Sequence, residues 1–198
     1  MYPSPRLRYQ PRTYPDQRTQ FENGDLFRKL TRESEVRYTG YRDCPLSERQ
    51  VRFQQECREG HADIAFVSTG TNLALSFAAD PWSDNPDDKL PIKETVDFDK
   101  EQGKVHLKSR FIMNGVCVVW KGWIDCNRLD GTGCLEFDEE KSLIEESLER
   151  EREEKFAMQL REFDQQQRLY SEQERQAGES ENLRRMRRST GIKLEQPL

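Results

Sequence analysis

The chain changes character at Asp138, and that break decides how much of it can pack. From Asp138 to Ala177 there is no Gly or Pro, and Glu, Arg and Gln dominate. Such a composition forms helix but offers little apolar surface to bury. Charged residues make up 35% of the 198 and hydrophobic ones 33%, too little apolar material for one core to enclose the whole length. The packed domain must therefore lie ahead of Asp138. Of the 32 basic and 37 acidic residues, 12 and 16 fall from Asp138 onward, which leaves 20 and 21 before it. This near balance argues against an autonomous DNA-binding domain, because non-specific affinity for nucleic acid grows with the number of phosphates neutralised.

Residues 1 to 18 hold four of the nine prolines and several arginines, among them Arg6, Arg8, Arg12 and Arg18. They read as an extended arm. Thr19 with Glu22 has the form of a capping box, and Phe21, Leu26, Phe27 and Leu30 fall on one helical face despite Gly24, so a first helix is expected there. Val36, Tyr38 and Tyr41 alternate as in a half-buried strand. Ser47 and Gln50 form a second capping box with Leu46 and Val51 placed as a hydrophobic staple. Phe53 and Cys57 continue that helix to a C-cap at Gly60.

From Asp63 the period becomes two: Ile64 and Phe66, Leu73 to Phe77, Val96 and Phe98, then Val105, Leu107 and Ile112. Thr69-Gly70-Thr71-Asn72 and Glu101-Gln102-Gly103 separate strands as hairpin turns, and Ala78 to Lys93 reads as a long loop. Val116 to Trp120 is an apolar run without alternation, as in a strand covered on both faces. Gly122 predicts a bend, Trp123 to Cys126 another strand, and Asp130-Gly131-Thr132-Gly133 a tight turn into Cys134 to Phe137. The expected fold is α+β: about six antiparallel strands curled into a partly open barrel with peripheral helices, followed by a charged helical or disordered C-terminal tail. The domain runs over 19–141 and the tail over 142–198. Phe156, Leu160, Phe163 and Tyr170 have heptad-like spacing, but Glu149 and Gln167 interrupt the seam, which favours a solvated helix docked only near its start. Arg184-Arg185-Met186-Arg187-Arg188 reads either as an import signal or as a basic turn of the tail.

The chemical inventory excludes more than it offers. There is no Ser/His/Asp grouping, phosphate-binding Gly-rich loop or H-E-x-x-H helix, so no enzyme, cofactor or metal site is read. Cys44, Cys57, Cys117, Cys126 and Cys134 lack a C-x-x-C pair and read as reduced and buried, and His61 and His106 lack a ligand-type neighbour. No segment has the length of a bilayer span or a signal-peptide core, so the reading is of a soluble intracellular chain. Two function classes remain. A small curled sheet can bind single-stranded nucleic acid by stacking bases on exposed aromatics, with Trp120, Trp123, Tyr38 and Tyr41 as candidates, although Lys108 and Lys121 are few for an electrostatic groove. Exposed loops with polar turn chemistry suit recognition of another protein instead.

Three stretches carry a resemblance: PDQRTQFENGDLFRKLTRESEVRYTGYRD, DIAFVSTGTNLALSF and NGVCVVWKGWIDCNRLDGTGCLEFDEE. Over about residues 11–141, with the Ala78 to Lys93 loop matching least, the chain resembles the core-binding factor beta subunit family. The resemblance implies a partly open six-stranded barrel that binds no DNA itself. It implies a heterodimer with a Runt-domain transcription factor, whose DNA affinity rises allosterically, a nuclear location with a cytoplasmic pool when unpartnered, and a tail dispensable for pairing. It also implies a partner surface on Thr69, Gly70, Thr71, Asn72, Leu73 and Ser76, on the strand from His106 to Asn114 including Arg110, Phe111 and Met113, and on the arm near Arg12. Gly70 and Asn114 match the family motif; their other readings are a turn glycine and a turn asparagine, and Leu73 and Met113 read equally as core. Ser76, His106 and Arg110-Phe111 depart from the family's commonest residues, glutamine, tyrosine and proline-methionine.

Overall fold

The computed structural model describes residues 12–190; Arg6 and Arg8 of the arm lie outside them. Two units divide the chain, one spanning Gln10–Glu149 and the other containing the charged segment from Arg150.

In the first unit, helix α1 spans Gln17–Asn23 and α2 spans Asp25–Leu30. Asp16 caps α1 by accepting from the Thr19 N–H at 3.1 Å, and the Thr19 hydroxyl and amide hold its carboxyl below the ordinary carboxylate range. The cap is thus Asp16 rather than Thr19. The single helix read from the sequence is broken at Gly24, which is extended, and where a Cβ would lie 2.8 Å from the Gln20 carbonyl oxygen. Strand β1 (Ser34–Tyr38) leads to α3 (Leu46–Glu59). This helix starts at Leu46 with Pro45 in the capping position and no side-chain cap, and Leu46 and Val51 are 53% and 65% exposed. The Ser47 box and the staple are therefore absent: the rigid φ of Pro45 opens the helix two residues earlier. Gly60 closes α3 at φ 97°, as the sequence predicts, and Phe53 and Cys57 are buried. Tyr41 leaves the strand pattern and sits in a turn at φ 50°.

The remaining strands are β2 (His61–Phe66), β3 (Asn72–Ser76), β4 (Val96–Asp97), β5 (Lys104–Met113), β6 (Val116–Asp125) and β7 (Asp130–Phe137), and α4 runs over Glu139–Thr190. The loop after β3 holds one 3-10 turn, Pro86–Lys89. All seven strands of the described residues join one antiparallel sheet in the order β3-β2-β1-β7-β6-β5-β4, against the six expected; the strand read at Val96 and Phe98 is the short β4, which pairs with His106 and Leu107. The α+β class holds. β6 is a single ten-residue strand through Gly122, not two strands about a bend. Asp130 to Gly133 is likewise strand rather than turn. Its glycines serve close approach, since a Cβ on Gly133 would meet the Trp120 ring at 2.5 Å. Chain reversal falls earlier: the Asp125 carboxylate accepts from the Asn127 and Arg128 amides, and Leu129 takes φ 60°.

Trp120 is fully buried at the centre of a core shared by the inner sheet face, Phe27 and Leu30 of α2 and Phe53 of α3. Val116 to Trp120 is buried throughout, with α1 over the outer side of its start. There Gln17, itself buried, accepts from the Cys117 N–H at 2.8 Å and donates to the Ser142 carbonyl at 3.4 Å. The Gln17 side chain thus substitutes for the strand that β7 no longer supplies beyond Phe137. Burial, with Glu145 and Asp138 nearby, pushes the Cys117 thiol up to about 12. All five cysteines are free; Cys57, Cys117 and Cys126 are buried, but Cys44 and Cys134 only half-buried. The start of α4 is tied down, with Ser142 and Glu145 buried and Lys141 paired to Glu145 at 3.3 Å. In the second unit, every residue from Met158 to Ser189 is exposed.

Candidate functional site

The β2–β3 connection is built by its threonines. The Phe66 amide donates to the Thr71 carbonyl at 2.9 Å, the Gly70 amide returns to the Phe66 carbonyl at 2.9 Å, and the Thr69 and Thr71 hydroxyls share a 2.8 Å bond. With their hydroxyls satisfied inside the turn, Thr69 and Thr71 hold Gly70 at the exposed tip at φ 67°. Among the described residues, nothing lies within 4 Å of where a Gly70 Cβ would stand. The glycine is therefore required by backbone conformation, and the space above it is free to receive a neighbouring molecule.

The β5–β6 hairpin closes on two residues, Asn114 and Gly115, at φ 47° and 76°. These are the paired left-handed residues of a type I′ turn, for which Asn-Gly is the strongest short-range signal. Asn114 is exposed, with its amide group among the uncharged groups of the hairpin tip. Gly115 has a second task. Tyr14 donates its amide to the Gly115 carbonyl at 2.9 Å, and its ring lies 2.8 Å from where a Gly115 Cβ would stand. Arg12, Thr13 and Tyr14 thereby line a shallow cleft of about 240 Å³ with Asn114 and Gly115. Tyr14, 49% exposed, escaped the sequence reading; its signal was the glycine after the turn asparagine, which the turn alone seemed to explain.

The two turns share one end of the barrel. At the seam where the sheet curls back on itself, the Ser109 hydroxyl accepts from the Ser76 N–H at 3.2 Å and donates to the Ser76 carbonyl at 2.6 Å. β3 and β5 are five antiparallel steps apart in the strand order and so run in opposite senses across the seam. From Ser76 back to Asn72, and from Ser109 on to Met113, both lead toward the same rim. Leu73, Phe111 and Met113 point inward there, packed against the core yet only partly covered. This rim gathers Arg12, Thr69, Gly70, Thr71, Asn72, Leu73, Phe111, Met113 and Asn114. Apart from Arg12 the set is uncharged.

Three candidates stand apart from it. His106 is half-buried on the outer sheet face beside Glu101, roughly 27 Å along the strand from Asn114 at about 3.4 Å per residue. Arg110 turns to α4: its Nε lies 3.2 Å from the buried Asp138 carboxylate, as an ion pair rather than an aligned hydrogen bond, and its Nη2 reaches Glu140 at 3.2 Å. Asp138 in turn accepts from the Lys141 amide at the helix start. Arg110 thus fastens α4 to β5, and its guanidinium is engaged inside the chain. Ser76 lies at the closed end of the seam.

The aromatics considered for base stacking are mostly committed elsewhere. Trp120 and Tyr38 are buried, and the Tyr38 hydroxyl, pushed above its ordinary range by burial and by Glu56, donates to that carboxylate at 2.7 Å. Lys104 lies 4.1 Å over the Trp123 ring. Tyr41 is exposed, but Arg52 stacks on it at 5.0 Å.

The comparisons agree on one relationship. The family profile described as core binding factor beta subunit matches residues 10–178. "Protein big brother" of Drosophila melanogaster is 51% identical over 191 residues, covering 96% of this chain and 86% of its own length. "Protein brother" of the same organism is 51% identical over 150 residues, 74% of this chain and 68% of its own. A family profile over residues 10–178 and an identity of 51% over 96% of the chain mean that the chain belongs to the core binding factor beta subunit family.

Proposed function

We propose that this chain is the non-DNA-binding subunit of a heterodimeric transcription factor, which pairs with a Runt domain through the barrel rim and raises that domain's affinity for DNA. The observation that carries the reading is the convergence of Gly70 and Asn114 on one rim that is uncharged apart from Arg12, one offering free space above a backbone and the other an amide group. Family membership supports the partner class and a role without catalysis. The charge balance of the barrel and the commitment of its aromatics speak against direct single-strand binding. The mechanism is linkage: a subunit that favours the DNA-competent state of its partner shifts that population, and DNA in turn tightens the heterodimer. Residence in the nucleus follows the partner in this reading, with the unpaired subunit held in the cytoplasm.

Titrating the chain into a purified Runt domain with labelled duplex tests this. A coupling of about 1–3 kcal/mol tightens DNA binding about 5- to 150-fold with the footprint unchanged. Unchanged DNA affinity at saturating subunit defeats the allosteric part. A steeply salt-dependent shift by the chain alone returns the single-strand reading.

A further inference from the structure

The helix α4 carries one stretch that its own stability does not explain. From Arg150 to Glu181 acidic and basic side chains are interspersed, as on a solvated helix. Beyond Glu181 the mixing stops: Arg184, Arg185, Arg187 and Arg188 follow, with no acidic residue until Glu195. Arg184 stands three and four positions from Arg187 and Arg188, and Arg185 three from Arg188, so like charges become neighbours on the helix surface. Such pairs destabilise a helix. The macrodipole favours cations in the last turn, which accounts for Arg187 and Arg188 but not for all four. Arg185 does reach Glu181 at 3.1 Å, but both side chains are mostly exposed and a pair of this kind is weak.

The residues that come next select the acidic partner such a cluster suits. Ser189 and Thr190 end α4 directly behind the arginines. Thr190 has an arginine two, three, five and six residues before it. That spacing fits protein kinases whose acidic substrate groove takes guanidinium groups ahead of the acceptor hydroxyl. A nucleic acid would use the arginines but would not need a hydroxyl at a fixed offset from them. The place in the fold suits a kinase as well, since a substrate segment must be extended to enter its groove. The last turn of a helix has carbonyl groups without intrahelical partners and frays at little cost. Every residue from Met158 to Ser189 is exposed, so no buried packing has to be undone.

We propose that Thr190 is a phosphorylation site for an arginine-directed protein kinase, with Arg184, Arg185, Arg187 and Arg188 as its recognition element. The Thr190 hydroxyl oxygen attacks the γ-phosphorus of ATP. Its bond to phosphorus forms as the bond to the β,γ-bridging oxygen breaks, ADP leaves, and the hydroxyl proton passes to the kinase's catalytic carboxylate. The product adds about −1.5 to −2 charges at pH 7, so the cluster loses about half of its positive charge. The new phosphate also opposes the negative end of the helix macrodipole, which loosens the end of α4. The modification thereby switches a basic patch that lies outside the barrel, and the inference does not depend on the Runt-domain reading.

Incubating the full chain with the catalytic subunit of cyclic AMP-dependent kinase and magnesium ATP, then locating the phosphate by fragment mass spectrometry, tests the site. Phosphate is expected on Thr190 and is lost in Thr190→Val. Arg187→Ala, which removes one charge-assisted contact to the kinase, lowers kcat/KM about tenfold or more, and Arg187→Lys restores part of it. All three changes fall in the exposed helix, so none disturbs the barrel. Phosphate spread evenly over other hydroxyls, or Arg187→Ala modified as fast as the parent, overturns the proposal. So does a chain that binds duplex DNA through the arginines yet accepts no phosphate at Thr190, which would assign the cluster to nucleic acid. In a second arm the chain is produced in cultured insect cells and recovered with phosphatases inhibited. Phosphate at Thr190 is expected there, and its absence after the cells' cyclic AMP is raised would show that the site is not used.

Discussion

At the scale of single residues, backbone conformation decides which substitutions are informative. Asn114 sits at φ 47°, so replacement by Ala would mix loss of the amide with left-handed strain of roughly 1–2 kcal/mol. Asn114→Gly avoids this, because glycine adopts the same φ freely and removes only the side chain. Its expected outcome is a pairing affinity for the Runt domain lowered about tenfold or more with a melting temperature within about 2 °C of the parent, read by calorimetric titration and thermal unfolding. Gly70→Ala divides the two effects differently. No clash awaits the Cβ inside the chain, so stability falls only by the conformational cost, about 1 kcal/mol. A pairing loss well above that figure then measures how closely the partner approaches the glycine. A pairing loss equal to the stability loss would mean that the tip touches nothing.

Between elements, the junction that matters is the one where the arm, β6 and the start of α4 meet. Gln17 occupies a place that a strand would fill, and Gln17→Ala leaves the Cys117 N–H buried without a partner, at a cost of about 1–3 kcal/mol. Denaturant unfolding should show that loss with an unchanged m-value, and Gln17→Glu should not rescue it, since a buried carboxylate keeps the acceptor but adds a charge. The sequence could not reveal this residue, because Gln17 lies in a polar stretch and its burial depends on elements 100 and 125 positions away. The same limit explains the other mismatches. Gly131 and Gly133 read as a turn because local chemistry cannot foresee that the first lies against the Trp123 backbone and the second against the Trp120 ring. What local chemistry governs was legible: the Gly60 cap, the Glu101 to Gly103 turn, the buried run at Val116 to Trp120, and the helix-forming segment after Asp138. For the rim, the residues of the two turns could be named, but not that β3 and β5 bring those turns to one end, because the seam between them is held by a hydroxyl rather than a ladder.

For the molecule as a whole, the separation of packed and unpacked parts seen in composition reappears in exposure. Residues Met158 to Ser189 form continuous helix, yet Met158, Phe163, Tyr170 and Met186 are each more than half exposed, and polar residues surround them. A helix this exposed gains little from tertiary packing and is held mainly by propensity and by pairs such as Arg185 with Glu181, which are worth only a few tenths of a kcal/mol each. Cooperative stability should thus reside in the barrel unit. A chain ending at Ala157 keeps Gln17, Ser142 and Glu145 with their partners, and should unfold within about 2 °C of the full-length protein while losing a substantial part of its helical circular dichroism. Its affinity for the Runt domain should match that of the full chain within about twofold. A tenfold loss on this truncation would assign the distal helix a share in partner binding, and the rim alone would no longer account for recognition.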